Sequence, residues 1–111
     1  MALRRRKAQK MKVRKRPQVR CPPHLAWVRG FDCCVKNSDC NGNTEAAHVR
    51  GGTDGGTGVK PSDHWTIPLC SFHHGHQHTV GEARFEAHHK ISMREIAKRL
   101  ARKSPHRGKW E

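Results

Sequence analysis

Apolar residues fall along this chain in short bursts separated by polar turns, and the spacing within each burst predicts an element. After Pro22 and Pro23 the run HLAWVRGF predicts a short helix, with prolines suited to a first turn and Gly30 to its end. Leu25, Trp27 and Val28 are its expected core residues, and His24 is expected at the polar surface. EAAHVRGG and WTIPLC predict two strands. Between them GGTDGGTGVKPSD holds five glycines in its first eight residues, the pattern of a loop that is mobile or brings backbone close to a ligand. The pattern turns helical after Cys70, and a second short helix, GEARFEAHH, can bury Phe85 and Ala87. In the last element Ser92 and Glu95 form a capping box, and Met93, Ile96, Ala97, Leu100 and Ala101 recur at three-four spacing. Arg94, Lys98, Arg99, Arg102 and Lys103 lie mostly off that stripe, on a face open to nucleic acid or to water.

With 111 residues and 33% hydrophobic content, one small domain with a thin core is expected. Something besides apolar burial must then help to hold it. Five cysteines are an odd number for disulfides, and MALRRRKAQKMKVRKR lacks the apolar run of a secretory signal. A cytoplasmic chain that uses Cys and His for metal is the expectation, and no apolar run approaches a membrane span. The net charge of +14 is carried by the ends: ten Lys/Arg and no acid lie in residues 1–20, and eight bases against two acids in 90–111. Cationic ends around a near-neutral middle suit a phosphate backbone. The expected organisation is a basic disordered arm at 1–20, a domain at 21–91, and a basic amphipathic helix and tail at 92–111.

The chemistry concentrates in LCSFHHGHQHTVGE, where one cysteine and four histidines occupy nine residues. A structural zinc needs four Cys/His ligands, usually as two close pairs on separate turns. Cys70 and His73, spaced C-x2-H, make one pair; the turn DCCVKNSDCNGN supplies the other as Cys40 with Cys33 or Cys34, Cys33 being preferred. That leaves His74 and His78 at i, i+4 spacing, so both imidazoles share a helical face and can hold a divalent metal with positions open for water and substrate. His76 lies elsewhere on the helix. The glycine run ends in neither Gly-Lys-Ser/Thr nor GxGxxG, so it predicts no nucleotide cradle.

Taken in order, C-x6-C, AHVRGG, a glycine-rich loop and D-x6-C-x2-H-H-x3-H resemble the HNH nuclease superfamily. The longer pattern HLAWVR…CC…AHVRGG…GTGVKPSDHWTIPLCSFHHGHQHTVGEARF resembles small phage and prophage HNH-like proteins related to the recombination enhancement nuclease of phage, over about His24 to Ile91. The resemblance implies an α+β fold with a ββα-metal core and a zinc knuckle, flanked by short helices. It also implies a DNA endonuclease acting in a bacterial host cell, leaving 5′-phosphate and 3′-hydroxyl ends, with a recombination protein as a possible partner. His48 matches the general base, and Asp63, with His64 as runner-up, matches the group that orients it by accepting its Nδ1 proton. His74 and His78 match the ligands of a catalytic Mg²⁺, Mn²⁺, Ni²⁺ or Zn²⁺, and Arg50 and Lys60 are placed to contact phosphate. Ala47 departs from the pattern, standing where many members carry an Asp or His ligand. Either two histidines with water and phosphate hold the metal, or His48 itself ligates and the base lies elsewhere, His64 being a candidate. The rival expectation is a zinc-stabilised nucleic-acid-binding module with a degenerate site.

Overall fold

The computed structural model describes residues 18–56 and 58–111, so most of the expected arm lies outside the described residues. The arm's last residues are pinned: the Val19 N–H donates to Ser62 Oγ at 2.8 Å, and its carbonyl accepts from the Asp63 N–H at 2.9 Å. Two antiparallel strands and four helices follow, in the order α1 (Pro22–Arg29), β1 (Thr44–His48), β2 (Thr66–Cys70), α2 (Ser71–Val80), α3 (Glu82–His89) and α4 (Met93–Lys103). A single 3-10 turn, Arg107–Lys109, ends the fold. No helix among the described residues is long and apolar enough to cross a membrane.

The strands pair with Thr44 opposite Cys70, Ala47 opposite Ile67 and His48 opposite Thr66. Every residue of β2 is buried, because α1, α2 and α4 all pack against it. Pro68 is tolerated because a two-stranded sheet has only edges, and its carbonyl accepts the Cys34 N–H at 2.9 Å, tying the cysteine turn to the strand. The chain passes from β2 into α2 without a loop, a junction that leaves the first helical N–H groups to find partners elsewhere. The Ser71 N–H donates to the Asn43 carbonyl, the Phe72 N–H to the Asn41 carbonyl, and the His73 N–H to Cys70 Sγ. Gly42 is needed for this fit: its φ is +86°, and a Cβ there would stand 2.6 Å from Cβ of Ser71.

Ala47, Val49, Ile67, Leu69, Phe85, Met93 and Ala97 form one core with Cys33 and Cys70. Helix α4 therefore belongs to the same packed unit as the sheet. Its start is fixed twice, by the Glu95 N–H donating to Ser92 Oγ and by the Met93 N–H donating to Glu86 Oε2. Three expectations change. Of the α1 residues expected inside, Val28 is buried but Leu25 and Trp27 are only half-buried. Ala87 is exposed, because two residues along a helix is about 200° of rotation and Phe85 already takes the inward face. His24 is wholly buried: its Nδ1 lies 2.9 Å from Ser104 Oγ and its ring meets Trp27 and the edge of Trp110, clamping α1 to the C-terminal turn. Burial, with the nearby His64 and His106, pushes His24 down to about 4, so it stays neutral in this clamp.

With so few apolar side chains inside, each counts. Phe85→Ala is expected to lower unfolding free energy by about 3–5 kcal/mol, whereas Ala87→Ser should stay within about 0.5 kcal/mol of wild type. Denaturant unfolding of the two variants side by side checks the assigned face of α3.

Candidate functional site

The turn between α1 and β1 delivers two cysteines to the β2–α2 junction. Cys33, Cys40, Cys70 and His73 offer ligand atoms all within 4.8 Å of one another, the group expected from the sequence with Cys33 in preference to Cys34. His73 Nδ1 lies 3.6 Å from Cys33 Sγ, 3.6 Å from Cys40 Sγ and 3.1 Å from Cys70 Sγ. Zinc bonds of about 2.3 Å to sulfur and 2.0–2.1 Å to nitrogen at a tetrahedral angle require an S···N edge of about 3.6 Å. Three thiols and an imidazole at that spacing could hold such an ion. Burial disfavours the Cys70 thiolate, but the N–H groups of His73 and Asn41, with the His73 ring, outweigh it and bring Cys70 down to about 6. Cys34 is the opposite case: burial, then the neighbouring Cys33, pushes it up to about 12, so it remains a thiol. Cys21 is buried beside Asp63 and away from this group.

One residue further along α2, about 100° of rotation turns the next histidine to another side. His74 Nε2 lies 3.3 Å from His78 Nε2. Two neutral imidazole lone pairs repel at that distance unless a proton or a cation lies between them, and two ligands at about 2.0–2.1 Å from one tetrahedral ion would stand about 3.3 Å apart. A proton on one Nε2 makes this contact a hydrogen bond between the rings, and the same spacing would also suit two ligands of one ion. Glu45 strengthens the fit: its Oε1 accepts from His74 Nδ1 at 2.7 Å, committing that nitrogen to a proton and leaving the Nε2 lone pair for a ligand bond. The His74 hydrogen bond, then that from Ser71 at 2.8 Å, holds the Glu45 carboxyl below its ordinary value. Glu45 was not anticipated; a lone acid in a strand otherwise made of Thr, Ala and His was the available signal.

His48 and Asp63 meet, but not through the expected nitrogen. His48 Nε2 lies 3.0 Å from Asp63 Oδ1, so Nε2 carries the shared proton and Nδ1 is left with the lone pair. Asp63 is held in turn by the Cys21 N–H at 2.7 Å and by the Arg20 guanidinium at 3.3 Å. Burial raises the Asp63 carboxyl, yet these donors and His48 together bring it below the usual range. For His48 burial dominates over the pull of Asp63, and the charges of Lys60 and Arg20 add to it, so its pKa falls. A neutral imidazole at neutral pH is the result. His64, the runner-up, stacks on Trp110 at 4.8 Å and lies beside Trp65 instead.

His48 and His78 line one cleft of about 140 Å³ together with Arg50, Gln77, Gly81 and Glu82. Arg50 acts as a staple: its guanidinium donates to the carbonyls of Gly56 and Val59, closing the glycine loop. Glu82 completes the wall by accepting from the Arg50 N–H at 2.8 Å and the Gly51 N–H at 2.9 Å. Lys60 is exposed near His48, as its effect on that ring records.

A family model described as Protein of unknown function (DUF968) matches residues 6–106, and the chain belongs to that family. No curated protein and no solved structure matches the chain.

The purified protein is expected to carry one tightly held zinc per chain. Cys33→Ser and Cys70→Ser should each release it, while Cys34→Ser should retain it. Elemental analysis of the three variants checks this, and zinc loss confined to Cys34→Ser would reverse the ligand assignment.

Proposed function

For this DUF968 member we propose a metal-dependent endonuclease of the HNH type, hydrolysing DNA phosphodiester bonds with a water activated by His48. The observation that carries the reading is the shared cleft: a neutral, carboxylate-oriented imidazole from the end of β1 lines the same space as His78, whose Nε2 lies 3.3 Å from that of His74. The strand, strand, helix order of β1, β2 and α2 agrees with the resemblance of the sequence to that superfamily.

The roles of the residues follow from their contacts. The Asp63 carboxylate accepts a hydrogen bond from the His48 Nε2–H, so Nδ1 is the atom that accepts a proton from water as the water attacks phosphorus in line with the leaving 3′ oxygen. Asp63 itself is kept ionised and fixed by Cys21 and Arg20, which prevents the imidazole from rotating out of register. His74 and His78 would hold the metal, with Glu45 setting the His74 tautomer. A divalent ion bound there supplies charge stabilisation for the phosphate oxygens and the departing oxygen. Lys60 and Arg20 add positive charge beside His48, where an anionic phosphate would enter. Arg50 acts by shaping the loop.

Ala47 favours a second reading. Its side chain is fully buried in the core, so the position before His48 contributes no ligand, and a nucleic-acid-binding module with a weakened site would share this feature. The two readings part on catalysis. Across Mg²⁺, Mn²⁺, Co²⁺, Ni²⁺ and Zn²⁺, wild type should nick supercoiled plasmid at least about 100-fold faster than His48→Ala with its best metal, the lower range for loss of a general base. Equal rates with every metal remove the nuclease reading.

The pH profile offers a separate check. His48 acts in its neutral form and its pKa lies below the ordinary 6.5, so nicking should rise with pH through an acid limb below that value and stay flat from neutrality upward. Asp63 raises the His48 pKa by hydrogen bond and charge. Asp63→Asn should therefore move the limb to lower pH while lowering the plateau; a limb displaced upward contradicts the assignment.

A further inference from the structure

Helix α4 is fixed to the core by Met93 and Ala97, and it carries a second feature that the packing does not use. Arg94, Lys98 and Arg102 recur every four residues, so they form nearly one row along the helix, with successive members about 6 Å apart. All three lie at the surface; the Arg94 and Lys98 side chains are 47% and 40% exposed. Among the described residues the acid that pairs with them is Glu95, beside the row at 3.9 Å from Arg94 and 3.5 Å from Lys98, an exposed contact of small energetic weight.

The near end of this row lies on the turn that follows the cleft wall. Gly52 has φ +74°, and a Cβ there would stand 2.8 Å from Cδ of Arg94 and 3.2–3.3 Å from two of its guanidinium nitrogens. The Arg94 side chain therefore lies flat on the turn whose preceding residues, Arg50 and Gly51, are bound by Glu82 in the cleft wall. Glycine at position 52 is what admits the guanidinium. The Arg50 side chain is spent on the Gly56 and Val59 carbonyls, whereas the Arg94 side chain, on the neighbouring turn, makes no backbone hydrogen bond among the described residues.

We infer that α4 is a DNA-backbone track: Arg94, Lys98 and Arg102 contact phosphates spaced along one strand leading away from the His48 cleft, with Arg94 closest to the reacting phosphate. The row spans about 12 Å, about three to four steps at about 3.4 Å of rise per strand. Contacts of this kind set position and affinity and carry no sequence preference. The inference rests on the nuclease reading in placing the scissile phosphate in that cleft.

The test uses the full chain carrying His48→Ala, which binds without cutting, and a short fluorescent DNA duplex titrated over a range of salt concentrations. Each of Arg94→Ala, Lys98→Ala and Arg102→Ala should weaken binding and flatten the slope of log K against log salt by about 0.9. Arg84→Ala, on α3, should leave the slope unchanged. In the chain with His48 intact, Arg94→Ala should slow plasmid nicking more than Arg102→Ala. A triple α4 variant that keeps its zinc and thermal unfolding yet retains the parent slope overturns the track, even where wild type nicks DNA and the nuclease reading stands. Loss of slope in a protein that nicks nothing sustains the track and removes the nuclease reading.

Discussion

Cys70 occupies three roles at once, and the arrangement of the other candidate residues depends on them. It ends β2, it caps α2 through its sulfur, and that sulfur stands among the four possible metal ligands. A strand that runs straight into a helix fixes the helix phase relative to the sheet, with no loop to absorb error. His73 is then turned toward the three thiols and His74 toward Glu45, because adjacent helical residues diverge by about 100°. The pairing of Thr44 with Cys70 places Glu45 beside the first turn of α2, and the same register puts His48 opposite Thr66 at the far end of the sheet. Cys33 and Cys40 secure the junction from outside while Asn41 and Asn43 satisfy its N–H groups.

Burial and pairing compete in this small fold: burial wins at Cys34 and His48, hydrogen bonds at Cys70, Asp63 and Glu45. Cys33 and Cys34 are neighbours in sequence, yet Cys34 is driven to about 12 and stays a thiol while Cys33 joins the ligand group. His48 touches a carboxylate that favours its charged form, and desolvation still leaves it easier to deprotonate than an ordinary histidine. A chain with a core this limited cannot enclose its polar groups deeply. It instead encloses a few of them selectively, and the selected ones are the Cys70–His73 pair, Asp63 and the His24 clamp.

What was legible in the sequence was what is local. The C-x2-H spacing, the Ser92–Glu95 capping box, the proline start of α1 and the i, i+4 histidines each lie within one turn or one short segment, where backbone geometry alone fixes the outcome. Choosing Cys33 with Cys40 came close to the limit of that kind of reading. Contacts between distant residues were not legible. Glu45 meets His74 across 29 positions, His24 meets Ser104 across 80, and both depend on strand register and helix packing that no spacing rule encodes. The His48–Asp63 pair was foreseen as a pair, but which ring nitrogen faces the carboxylate follows from the approach of the loop, so the expected Nδ1 contact gave way to Nε2.

The same distinction bears on Ala47. Ala47 is fully buried in the core and its methyl group offers no ligand atom, although it shares a strand face with Glu45. In this fold an acidic group instead reaches the helical histidines from Glu45, two positions earlier on β1, and it does so through His74 Nδ1. A carboxylate there tunes and orients the imidazole, so the possible ligand set consists of neutral nitrogens with the remaining positions left to water and phosphate oxygens. Such a set carries no negative charge of its own. On the proposed reading, the metal would keep its full charge for the substrate, and the loss of a charged ligand at position 47 is compatible with function.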